Sequence, residues 1–170
     1  MNVNFYNDIM FRIKDLSLVL DNNSVIIEEY FRRLYRDSKN TLNGEIKTNF
    51  IKKIKEMEFG LVEPKKTFLE FFKENKKNIT RTSFDLIKDN IIKITKKKIE
   101  LTQDISHQIN SLMIRMNNFF KQNNDKIMKY NLAKKFYFVV NNKMKKSIDF
   151  NKMTEIMKWS IDKMDELKKN

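Results

Sequence analysis

No cysteine occurs in these 170 residues. A disulfide scaffold and a thiolate zinc site are therefore excluded. Histidine occurs once, at His107, so a Ser–His–Asp triad has only one candidate base. Glycine occurs twice, at Gly44 and Gly60. Two glycines cannot build a phosphate-cradling loop, and no Gly-x-Ser-x-Gly elbow is present. Proline occurs once, at Pro64, and alanine once, at Ala133. Beyond residue 64 the chain has neither proline nor glycine, which removes the turn punctuation of a sheet protein. The longest apolar run is Phe136–Val140, whereas crossing a bilayer takes about 20 apolar residues. No membrane insertion is expected. The first fifteen residues carry charge every few positions and do not read as a signal peptide, so a cytoplasmic location is expected.

Lysine, asparagine, isoleucine and phenylalanine take the place of the missing residues. Their codons are AT-rich, and those of glycine, alanine and proline are GC-rich. The composition fits an accessory or regulatory factor from an AT-rich genome, such as that of a virus, a phage or a mobile element. The net charge is +13, from 35 basic and 22 acidic side chains. A balance of this size points toward polyanions, but codon bias alone also fills exposed positions with lysine. The charge is uneven. Residues 1–40 are neutral, with six charges of each sign; segments 41–80, 81–122 and 123–170 carry +3, +4 and +6.

The length suits one domain over residues 1–170, able to bury roughly 68–70% of the surface its unfolded chain exposes. Apolar residues recur at helical spacing throughout. A first helix is expected over Asn4–Leu20, ended by Asp21–Ser24, with Ser24 capping a second that carries Ile27, Phe31 and Leu34. The segment Asn40–Gly44 reads as a connection. A third helix ends at Gly60, the glycine expected in a left-handed cap, and Pro64 opens a fourth. Thr82 or Ser83 is the expected cap of a long helix over residues 84–120, with a possible restart at Thr102. Asn124 is expected to cap the next helix, in which Tyr130–Val140 is apolar on almost every face, and a last helix carries Met153, Met157, Ile161 and Met164. The fold class is all-α, a bundle of six or seven helices around the long one.

No catalytic or metal-binding constellation emerges, and no cofactor is expected. Glu100, Asp104 and His107 lie one turn apart, but a di-iron bundle needs two such motifs and further carboxylates. An enzyme is therefore disfavoured. Two binding readings remain. A protein partner is favoured by the surplus of large apolar side chains. Phe68, Phe71 and Phe72 cover more than one stripe of a short helix, which suits either deep burial or a face shared with a partner. Trp159 falls off its helix's apolar stripe and points to contact with another helix or chain. The alternative is sequence-nonspecific nucleic-acid binding through Lys134, Lys135, Lys143, Lys145 and Lys146, which are interleaved with aromatics. One further residue is out of place. Lys98 falls four residues after Ile94 and three before Leu101, inside the apolar seam. It can snorkel to water, pair with a carboxylate or line a groove.

Overall fold

The computed structural model describes residues 2–168. Six α-helices account for most of them: α1 (Asn2–Thr41), α2 (Gly44–Glu58), α3 (Pro64–Glu74), α4 (Arg81–Gln122), α5 (Lys126–Val139) and α6 (Phe150–Lys168). A 3-10 turn, Lys76–Asn78, links α3 to α4, and a π-helical turn, Val140–Met144, extends α5. No strand occurs among the described residues, and no helix is long and apolar enough to cross a membrane. The expected all-α bundle around one long helix is what the chain forms.

The main correction concerns α1. It is one helix of 40 residues, unbroken at Asp21–Ser24. Asn, Asp and Ser break helices when their side chains turn back to the local backbone. Here Asp21 and Ser24 are turned to partners outside the helix. Asp21 pairs with Lys143 at 2.9 Å, Asn23 is buried, and the Ser24 hydroxyl faces the Lys143 carbonyl at 3.5 Å. Tertiary contacts with the segment after α5 have overridden a local stop signal.

Helix α4 likewise runs through Thr102. That hydroxyl donates to the Lys98 carbonyl at 2.7 Å and accepts the Asp149 N–H at 2.7 Å, so it bridges to the α5–α6 connection and does not start a helix. The N-cap of α4 is Thr80, one turn ahead of the expected position. Its Oγ1 accepts the Ser83 N–H at 3.1 Å. The Ser83 hydroxyl instead donates to the Thr41 carbonyl at 3.0 Å, fastening the start of α4 to the end of α1. Asp125 caps α5 in place of Asn124, accepting from Ile127 and Met128.

Helices α1 and α4 lie antiparallel along most of their length. Phe5 meets Phe119 edge-on at 5.4 Å, Asp8 pairs with Arg115 at 3.5 Å, and Asp37 accepts from Asn90 at 2.8 Å. Two apolar cores are strung along this pair. The first joins Ile9–Leu20 and Ile105–Phe119 to α5 and α6. The second joins Ile27–Leu42 and Ile87–Leu101 to α2 and α3. Between them lies a polar belt of buried Asn23, Lys98, Thr102 and Ser147.

The belt is flanked by a tight backbone contact. At Gly60 (φ +73°) the chain leaves α2, the Gly60 N–H donating to Met57 and the Leu61 N–H to Glu56. This paired closure satisfies the last carbonyls of the helix. The same glycine abuts the π-turn region, where an added Cβ would sit 2.8 Å from the Lys145 Cβ. Gly44 (φ +57°) has nothing within 4 Å of that position. Gly44→Ala is therefore expected to cost only the left-handed strain, about 1–2 kcal/mol, and Gly60→Ala a further ~1–3 kcal/mol of overpacking. Urea denaturation of the two variants measures the difference. Equal costs would show that Lys145 yields freely.

Candidate binding surfaces

Of the two readings of the α3 aromatics, deep burial is the one the structure shows. Phe68, Phe71 and Phe72 are almost fully buried. Phe50 holds Phe71 and Phe72 at 4.8 and 5.7 Å, and Phe84 holds Phe68 and Phe72 at 5.5 and 5.3 Å. The wide apolar face of α3 exists because α2 and α4 both converge on it. The large apolar residue this helix offers to solvent is Leu69, 51% exposed. Trp159 is also satisfied within the chain: it stacks on Phe120 at 6.3 Å and meets Phe136 edge-on at 5.8 Å.

Beside α3, however, a groove of about 510 Å³ opens toward the start of α4. Its apolar wall is Leu69, Phe72, Ile79 and Phe84, and Lys73, Lys76 and Arg81 also line it. Three cations and no carboxylate line this groove. Arg81 has one partner, Asp85 at 3.3 Å, with both side chains well exposed, so screening leaves that pair little strength. Thr80 caps the helix at the groove, and the positive end of the 42-residue α4 dipole adds to the local field. A second groove, about 480 Å³, lies between the Gly60–Leu61 turn and α6, where Met153, Met157 and Ile161 form a soft apolar wall.

The five candidate polyanion lysines do not form one patch. Lys143 and Lys146 are held by Asp21 at 2.9 Å and Glu28 at 3.3 Å. These pairs tie the π-turn region to α1. Lys145 is half-buried, with its backbone against Gly60. Only Lys134 and Lys135 are freely exposed, on α5 beside the exposed Phe138. Two of the five are thus taken up by the chain's own carboxylates.

Lys98 is 4% exposed, so it does not snorkel. It lines neither groove. Its Nζ sits 5.4 Å from the centre of the Phe31 ring, a cation–π contact. Burial pushes its pKa down to about 8, while Asp149 and Glu58 pull it back up. Neither carboxylate is within ion-pair distance, and both act through the field. Nearby, Asn23 Nδ2 and Ser147 Oγ are buried without a hydrogen-bond partner among the described residues, each at a cost of roughly 1–3 kcal/mol. Lys96 and Lys93 are exposed, and Lys97 reaches Glu100 at 4.0 Å, as expected of a solvated face.

Glu100, Asp104 and His107 are all exposed on the outer face of α4. Among the described residues, no group of three or more His, Asp or Glu side chains is arranged to hold a metal ion. No protein-family model matches the chain, and no curated protein or solved structure is significantly similar to it.

Lys98 makes stability depend on pH in a defined sense. In the folded chain it releases its proton near pH 8, in the unfolded chain near 10.5. Between these values the unfolded state binds more protons, so stability rises with pH. Tyr35 acts oppositely above pH 10, because burial and Glu58 raise its hydroxyl to about 12. The informative window is therefore pH 8 to 10, over which Lys98 should add about 2 kcal/mol. Lys98→Met should flatten that rise and raise stability at pH 7, as read from urea midpoints at each pH. An unchanged slope would show that Lys98 reaches water in solution.

Proposed function

We propose that this chain is a non-enzymatic helical binding protein whose partner is another protein. The partner presents an acidic, apolar segment to the groove between α3 and the start of α4. One observation carries the reading: an apolar wall that includes half-exposed Leu69 is accompanied by Lys73, Lys76 and Arg81, with no carboxylate in the lining. An amphipathic helix lays its apolar face into such a groove, and flanking Glu or Asp side chains meet the cations. The charge complementarity sets orientation and speeds encounter more than it deepens affinity. The apolar contact, centred on Leu69, supplies the affinity.

Sequence-nonspecific nucleic-acid binding is the second reading. It is favoured by exposed Lys134 and Lys135 beside exposed Phe138, since lysine meets phosphate and an aromatic ring stacks on a base. It is weakened by the internal pairing of Lys143 and Lys146.

Selection from a displayed random-peptide library is expected to return acidic segments with Leu or Phe at helical spacing. Their binding, read by fluorescence anisotropy, should weaken about tenfold, or ~1.4 kcal/mol, on Leu69→Asp or on Lys73→Glu with Lys76→Glu. Peptides indifferent to both variants would exclude the groove. Micromolar binding of a random DNA strand, falling steeply with salt and lost on Lys134→Gln with Lys135→Gln, would install the second reading instead.

A further inference from the structure

The codon bias that fills this chain with lysine works against arginine, because every arginine codon contains a G. The sequence has 29 lysines and six arginines, and three of the six fall at positions 32, 33 and 36. Two of these, Arg32 and Arg36, line a groove of about 590 Å³ between α1 and α2. Arg32, Arg36 and Lys39 share one face of α1, at i, i+4 and i+7, and Lys55 joins them from α2. All four side chains are exposed. Partly buried Tyr35 and Ile51 supply the apolar part of the lining, and no carboxylate belongs to it.

The guanidinium forks of both arginines are largely unused. Arg32 gives one nitrogen to Glu29 at 3.2 Å, and Arg36 gives one to Asp37 at 3.2 Å. Arg32 and Glu29 are both exposed, so screening leaves that pair little strength. The other oxygen of Asp37 accepts from Asn90 at 2.8 Å, which ties that carboxylate to α4. Lys39 faces the Tyr35 ring, its Nζ 5.9 Å from the centre. Glu58 acts on Tyr35 through its field but does not line the groove.

From this cluster we infer that the α1–α2 groove holds a phosphorylated side chain presented by a segment of another protein. At pH 7 a phosphate monoester carries about −1.5 to −2 charges and three acceptor oxygens. Two guanidinium forks can grip it together, and arginine surpasses lysine where such two-pronged contacts matter. A carboxylate has two oxygens and fills one fork. The cluster is compact: Arg32 to Lys39 spans about 10 Å along α1. That concentration suits one multiply charged group better than a nucleic-acid backbone, whose charges are strung along a line. A free small anion is disfavoured because sites for small molecules bury most of their ligand, whereas these four cations are exposed. A peptide adds contacts of its flanking residues with Tyr35 and Ile51, as in other recognition by arginine clusters. The site shares no residue with the groove beside α3 and does not rest on that reading.

The probe is a degenerate peptide library with a central serine, threonine or tyrosine, half of it phosphorylated. It is captured on the immobilised full chain and counted by mass spectrometry. Phosphorylated members should be recovered about tenfold more often than their unmodified counterparts. Arg36→Lys keeps the charge and removes the fork, so it should reduce that preference about threefold. Arg32→Gln with Arg36→Gln should abolish the preference without altering the circular dichroism spectrum, since both side chains are exposed. Leu69→Asp, in the groove beside α3, should leave it intact. Equal recovery of the two halves of the library would overturn the inference, and so would a preference that survives the double variant. A random DNA strand that binds more tightly than the recovered phosphopeptides, and is lost on the same double variant, would assign the groove to nucleic acid instead.

Discussion

The fold depends on one pairing, the antiparallel contact of α1 with α4. These two helices span both cores, and each remaining helix packs against this pair. The pairing is anchored at both ends by groups of different chemistry. Aromatic Phe5 and Phe119 meet at one end, and the Ser83 hydroxyl reaches the Thr41 carbonyl at the other. Between these anchors, helices of 40 and 42 residues keep their apolar faces together over most of their length. The groove beside α3 exists because the Lys76–Asn78 turn delivers the chain to the start of α4, and that start is fixed by α1.

Paired polar groups give this contact its register. A helix pair with uninterrupted Ile and Leu seams can slide by one turn at little cost, because one apolar residue replaces another. Shifted by a turn, Asn90 would lose Asp37 and Arg115 would lose Asp8, and part-buried polar groups left unpaired are costly. The polar belt between the two cores lowers stability, with Asn23 Nδ2 unpartnered and Lys98 buried. Thr102, bridging α4 to the Asp149 backbone, and the ion pairs of Lys143 and Lys146 fix the α5–α6 connection at the same level.

Much of this was legible from residue spacing. The stripe from Ile87 to Phe119, the glycine stop at Gly60, the proline start at Pro64 and the anomaly of Lys98 all follow from periodicity and backbone chemistry. The failures share one cause. Asp21–Ser24 reads as a stop, and Lys143 and Lys146 read as a basic patch, yet these segments answer each other across about 120 positions of sequence. Local rules cannot see a partner so distant. The burial of Phe68, Phe71 and Phe72 was one of two open options, and only the convergence of α2, α3 and α4 decides it. The groove joins Leu69 to Arg81 around a turn, so no single helical stripe announces it.

The wide separation of Phe5 and Phe119 also orders events during synthesis. Helix α1 leaves the ribosome well before its partner α4. At about 5–20 residues per second, several seconds separate the end of α1 from the completion of α4. For most of that interval the stripe from Ile9 to Leu20 has no native surface to cover it, because its partners lie on α4, α5 and α6. The nascent chain must wait with its longest early helix uncovered, so its vulnerability to aggregation is set by translation speed as much as by final stability.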